Sequence, residues 1–144
     1  MTKYEDGKRV CERAITFIDD KVLLIERHRL SNNEILHYYT IPGGGVEDDE
    51  NYSEAAIRET KEETCCDIKL IKPLIREDYG EGICYWFYGE YISGTPTLGG
   101  EEKDHNNPNN SYKVVLIPFS KLDNINILGK GRELIKKCIK EKDL

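Results

Sequence analysis

Apolar and polar residues follow two different periods along this chain. "RAITFI" and "KVLLIER" are short runs rich in β-branched and aliphatic residues, separated by Asp19 and Asp20, and they predict a hairpin. "ILHYYTIP" predicts a further strand, stopped by Pro42 and the glycines that follow. Over residues 52–64 the pattern turns helical, with Asn51 suited to the N-cap and Glu54 three residues on, a variant of the capping box. "CDIKLIKPLI" and "ICYWFYGEYI" return to strand character, and the second is apolar or aromatic on both faces, which predicts a central position. Residues 94–111 predict a loop, "YKVVLIP" a short strand, and Leu134, Ile135, Cys138 and Ile139 the packing stripe of a C-terminal helix. Strands, helix, strands, helix is the order of an α+β protein or of a layered α/β/α sandwich with a mixed sheet.

A chain of 144 residues predicts one domain spanning 1–144, large enough to fold without disulfide staples. Five cysteines in no metal-binding spacing predict reduced thiols in a cytoplasmic protein. The N-terminal residues have no apolar core of a secretory signal, and no run approaches a membrane span. The formal net charge of −6 gives no whole-molecule attraction for nucleic acid. An anionic substrate would require something local to reverse the sign.

The charge is concentrated where the pattern is most unusual. Residues 41–68 carry three glycines after Ile41-Pro42 and then crowd Asp and Glu against one Lys and one Arg. On the predicted helix, Ser53, Ala56, Ile57, Thr60 and Thr64 share a small, weakly apolar face suited to close packing. Glu59, Glu62 and Glu63 form a second cluster at i, i+3 and i+4. Like charges at that spacing cost roughly 0.2–0.5 kcal/mol per pair. Anions in the last turns also oppose the helix dipole, at roughly 0.3–1 kcal/mol each when exposed. Lys61 points away from the cluster, and Arg58 adjoins it only around the turn. A divalent cation would relieve both penalties, because ionised oxygen donors suit Mg²⁺ or Mn²⁺; a solvated acidic helix face is the alternative. Gly43, Gly44 and Gly45 let the backbone approach a ligand closely or take φ > 0. A carbonyl of that turn could complete a metal shell.

Gly44, five residues, Glu50, seven residues and then Arg58-Glu59-Thr60-Lys61-Glu62-Glu63 resembles the Nudix box, G-x5-E-x7-R-E-U-x-E-E-x-G-U, where U is a bulky aliphatic residue. Six of the seven fixed residues are in place. At roughly one in fifteen per residue type, chance gives that about once in ten million starts. Cys65 stands where the family has its second glycine, and Thr60 and Cys66 occupy the aliphatic positions.

The resemblance implies a Nudix α/β/α sandwich with a mixed central sheet, a box helix and a C-terminal helix. It implies hydrolysis of a phosphoanhydride in a nucleoside diphosphate linked to another group, with an (oxidised) purine nucleoside triphosphate the first candidate. A nucleotide-sensing module without turnover is the alternative. By the family's pattern, Glu59, Glu62 and Glu63 bind Mg²⁺ with a carbonyl at Gly43 or Gly44, and Arg58 pairs with Glu50. The general base comes from the box, at Glu59, or from the loop, at Glu101 or Glu102. Arg27 and Arg29 are candidates for phosphate oxygens, and the tyrosines and Trp86 for base stacking. The region past the box where some family members carry a proline or tyrosine marking ADP-ribose or dinucleoside polyphosphate substrates reads "YGEGICY", without the proline that marks ADP-ribose. The expected partner is a small nucleotide, with a homodimer possible and neither nucleic acid nor membrane involved. His28 and His37 sit in no motif.

Overall fold

The structure, a computed structural model, describes residues 2–99 and 106–142. Its elements run β1 (Tyr4–Glu5), β2 (Lys8–Ile18), β3 (Lys21–Ser31), β4 (Glu34–Thr40), β5 (Gly43–Gly45), α1 (Tyr52–Thr64), β6 (Asp67–Asp78), β7 (Gly82–Ser93) and β8 (Asn110–Pro118). A 3₁₀ turn (Phe119–Asn124) and α2 (Gly131–Lys142) follow. One mixed sheet holds the strands in the order β4-β3-β2-β7-β6, with β8 on β3 and β1 and β5 on β2. β7 is central, as its two apolar faces predict: it pairs parallel with β2 and antiparallel with β6.

The hairpin at Asp19-Asp20 forms, but β2 and β3 pair only at Phe17–Val22 and Ile18–Lys21. Beyond that they splay apart, β2 toward β7 and β5, and β3 toward β4 and β8. β2 is buried on both faces. Its side chains alternate between two layers, as strand geometry demands. Val10 and Ala14 pack with Ala55 and Ala56 of α1, and Ile15 and Phe17 pack with Leu134, Ile135 and Cys138 of α2. The helices therefore lie on opposite faces of the sheet, the expected three-layer α/β arrangement. Ile139 joins the α2 stripe only partly buried.

α1 begins where the sequence predicts. Asn51 Oδ1 accepts from the Glu54 amide at 2.7 Å, and Glu54 Oε1 accepts from the Asn51 amide at 3.1 Å, a complete capping box. Its buried face differs from the predicted one. Ala55, Ala56, Thr60 and Thr64 are buried, whereas Ser53 and Ile57 are exposed. The helix is rotated so that its smallest residues meet the sheet, which brings β5 and α1 close together.

The helix ends at Cys65, whose φ of 62° and ψ of 18° are left-handed. The last carbonyls are taken up by the segment after β7: the Thr97 amide donates to Thr64 O at 3.0 Å and the Gly99 amide to Glu63 O at 3.1 Å. A left-handed cysteine carries strain that glycine would not, of order 1–2 kcal/mol. Cys65→Gly is accordingly expected to stabilise the protein by about 1 kcal/mol, measured as the shift in urea unfolding midpoint at unchanged slope. A neutral or negative shift would show that packing of the Cys65 thiol against the loop outweighs the strain.

Candidate active site

The three box glycines form β5 against β2, with Cys11, Glu12 and Arg13 as register partners of Gly45, Gly44 and Gly43. None of the three takes a positive φ. Their purpose is close approach. A Cβ on Gly44 would stand 2.7 Å from Glu59 Cδ and 2.8 Å from both its carboxylate oxygens. Any side chain at Gly44 would expel the Glu59 carboxylate from the β5 backbone.

Arg58 is more central than its sequence position suggests. Its guanidinium donates to Glu50 Oε1 at 2.6 Å and Oε2 at 3.0 Å, a two-pronged pair across the loop. Nη1 also reaches Glu59 Oε1 and Glu62 Oε2, each at 3.1 Å, and Nη2 reaches Gly45 O at 3.3 Å. The Arg58 bond is the largest influence holding the Glu50 carboxyl below its ordinary range, and Glu50 in turn raises the guanidinium. Part of the like-charge penalty on this helix is thus offset by Arg58. Lys61 does point away, to Asp67 at 3.0 Å. The Glu59 side chain is 17% exposed and that of Glu62 52%, so the row runs from the β5 backbone out to solvent. Glu63 is half-buried and lines a cleft of about 210 Å³ together with Gly43, Arg13, Arg27, Thr40 and Tyr112.

Glu12 was not legible as a site residue. It is fully buried on the α1 face of β2. Its Oε1 accepts from the Gly44 amide at 3.2 Å, and its Oε2 has no hydrogen-bond partner. Burial pushes this carboxyl up to about 9, with Glu59 and then Glu63 adding to the effect. Only the run "VCERAITF" hinted at it, by placing a Glu beside Arg13 in a β-rich run.

Arg27 stacks its guanidinium 3.7 Å from the Tyr112 ring centre and bonds Asn110, which fixes it at the cleft wall. Arg29 lies two residues further out and is exposed. Arg13 bonds the Ile41 carbonyl in the gap where β2 and β3 splay. It also lines a second cavity, of about 300 Å³, on the α2 side of the sheet with Thr40, Cys11, Tyr79, Trp86 and Leu128. Among the tyrosines, Tyr85 stacks on Tyr52 and Tyr88 packs edge-on against Phe17. Tyr38 and Tyr39 are buried in the β4 strand. Glu101 and Glu102 lie outside the described residues.

The NUDIX domain family model matches residues 9–133, and the chain belongs to the Nudix family. An ADP-ribose pyrophosphatase of Methanocaldococcus jannaschii is 36% identical over 93 residues, which are 60% of this chain and 53% of that protein. The match thus spans about half the length of that relative. A NUDIX-family hydrolase of Clostridium perfringens superposes with a TM-score of 0.67 at 18% identity, over 89% of this chain and 92% of that one. The E. coli ORF135 protein does so with a TM-score of 0.65 at 18% identity, over 92% and 89%. At such identities the two structures report the fold.

The residues present fit a hard divalent cation. The donors are carboxylate and carbonyl oxygens, Glu59 is seated against a glycine backbone, and an unpartnered buried carboxylate oxygen lies beside them.

Two predictions follow from the geometry. Glu50→Gln and Arg58→Lys should each lower stability, and the double variant should cost less than the sum of the two, because they remove one interaction; strict additivity in urea unfolding would count against the pairing. The second concerns Glu12 in metal-free protein. Folded Glu12 keeps its proton to about 9, whereas an unfolded glutamate loses it near 4.5. The folded state binds the extra proton between those values, so this contribution is complete below the lower one and is lost as pH rises through the upper. Melting in EDTA should therefore weaken from about pH 5 to 9, and Glu12→Gln should flatten that slope. An unchanged slope would remove Glu12 as its source.

Proposed function

We propose that residues 1–144 form a single catalytic domain that hydrolyses a phosphoanhydride in a nucleoside diphosphate linked to another group, using Mg²⁺ or Mn²⁺. The observation that carries this reading is the Glu59 carboxylate packed against Gly44 beside Glu63, with Arg13 and Arg27 on the same cleft. Glu59, Glu62 and Glu63, with a carbonyl at Gly43 or Gly44, would hold the metal. When bound it supplies charge neutralisation for the diphosphate and a more acidic water.

The remaining roles belong to the chain's own groups. Arg58 and Glu50 position α1 on β5. Arg27, pinned on Tyr112, and Arg13 offer guanidinium donors to phosphate oxygens. The cavity containing Trp86, Tyr79 and Leu128 shares Arg13 and Thr40 with the metal-side cleft, so one extended ligand can place its polyphosphate on one side and its base on the other. A base stacked there is the simplest use of that apolar wall. Removal of the water proton falls to Glu101 or Glu102 in preference to Glu59, because Glu59 is committed to the metal.

The test is a substrate panel in Mg²⁺, scoring phosphate against pyrophosphate release. It includes ADP-ribose, named by the archaeal relative, and purine triphosphates with their oxidised forms. Turnover of at least one is expected, with Glu62→Gln at least about a hundredfold slower and still folded. Glu101→Gln or Glu102→Gln should lose the alkaline-rising limb of the rate profile while keeping metal affinity. Tight binding of a panel member without turnover would instead identify a nucleotide-sensing module.

A further inference from the structure

Away from the cleft, β3 and β4 bring a different donor set together. His28 and His37 are direct register partners, and Glu26 lies two residues before His28 on the same face. This is the face of β3 that carries Val22 and Leu24 into the α2 layer, and Arg27 projects from the other one. The two imidazoles stack with ring centres 4.2 Å apart and planes 6° from parallel. His37 Nε2 is 2.7 Å from Glu26 Oε2. One donor atom from each of the three side chains lies within 4.8 Å of the other two.

We propose that Glu26, His28 and His37 form a second metal site, for a divalent late transition ion such as Zn²⁺, independent of the box. Two imidazole nitrogens and one carboxylate are the donors Zn²⁺, Co²⁺ or Ni²⁺ favour, whereas Mg²⁺ favours the all-oxygen set on α1. Zinc bonds of roughly 2.0–2.2 Å require donors somewhat closer together than here. His37, half-exposed, can close that distance by side-chain rotation toward the less exposed Glu26, with the strand pairing kept.

Outer contacts of the kind that orient metal ligands are in place. The Tyr39 hydroxyl donates to Glu26 Oε2 at 3.1 Å, and Ser111 Oγ is 3.5 Å from His28 Nδ1. Three protein ligands at a solvent-facing edge leave a fourth position for water. An ion there ties β4 to β3 next to Tyr39, whose backbone amide and carbonyl hold Asn126 and Leu128. The site is therefore a clip on the strand that leads to the box glycines.

The experiment uses the full chain with excess Mg²⁺ to occupy the box. Co²⁺ and Zn²⁺ are added by calorimetric titration, with visible absorption for Co²⁺ and melting for Zn²⁺. One equivalent should bind with imidazole-type cobalt bands and raise the melting temperature. His28→Gln and His37→Gln should each weaken binding at least about tenfold, leave the fold and the Mg²⁺-supported rate unchanged and abolish the zinc shift, while Glu62→Gln leaves binding intact. Absence of stoichiometric binding, binding that survives both histidine variants, or binding lost in Glu62→Gln overturns the proposal.

Discussion

The guanidinium of Arg58 is the contact on which the box region depends. It reaches Glu50 in the loop, the Gly45 carbonyl on β5 and both Glu59 and Glu62 on its own helix. Loop, strand and helix each carry negative charge or an exposed carbonyl toward one another. Without a delocalised cation between them, the carboxylates would repel at distances where each pair costs on the order of a few kcal/mol in a partly screened medium. Arginine can do this because its planar fork donates several bonds at once, where lysine offers a single point of charge. The same contact also sets how near α1 stands to β5, and hence how close Glu59 comes to Gly44.

That closeness explains two local oddities together. The helix buries alanines and threonines instead of large residues, and the strand facing it is glycine. Larger side chains on either partner would stabilise the packing by apolar burial, but would also displace the carboxylate row. The unpartnered oxygen of Glu12 belongs to the same compromise. A buried carboxyl oxygen without a hydrogen-bond partner is costly, and here it sits beneath two further carboxylates. Departures from local stability rules that converge on one spot are what a functional or strained site is expected to show, and they accord with the metal site proposed there.

The splaying of β2 from β3 is the second constraint. Had the hairpin zipped along its length, the sheet would be continuous and Arg13 would have no gap to occupy. Because it opens after two paired positions, one arginine serves both the cleft on the α1 side and the cavity on the α2 side. The end of α1 is handled with similar economy. The segment after β7 supplies the amides that the helix's final carbonyls need, so the left-handed Cys65 is held by its surroundings and not by its own preference.

Much of this was readable without coordinates. Strand and helix periods, the capping box and the spacing from Gly44 to Glu63 depend on residues near in sequence, and local sterics and hydrogen bonding suffice to decide them. The sequence placed Cys65 at the family's second glycine but left open whether it turns left-handed or the helix ends by another route; the structure shows it left-handed. Other features depend on which distant segments meet. The choice of Ala55 over Ser53 and Ile57 for the buried face follows from where β5 and β6 press on α1. Glu12 became visible only when β5 was laid across β2. The His28–His37–Glu26 cluster needed the register of β4 on β3, since a shift of one residue would send His37 to the opposite face. Sequence alone determined the helix, its box and the kind of chemistry its carboxylates suit. Tertiary structure decided which carboxylates and arginines share a cleft, because long-range register and packing set those distances.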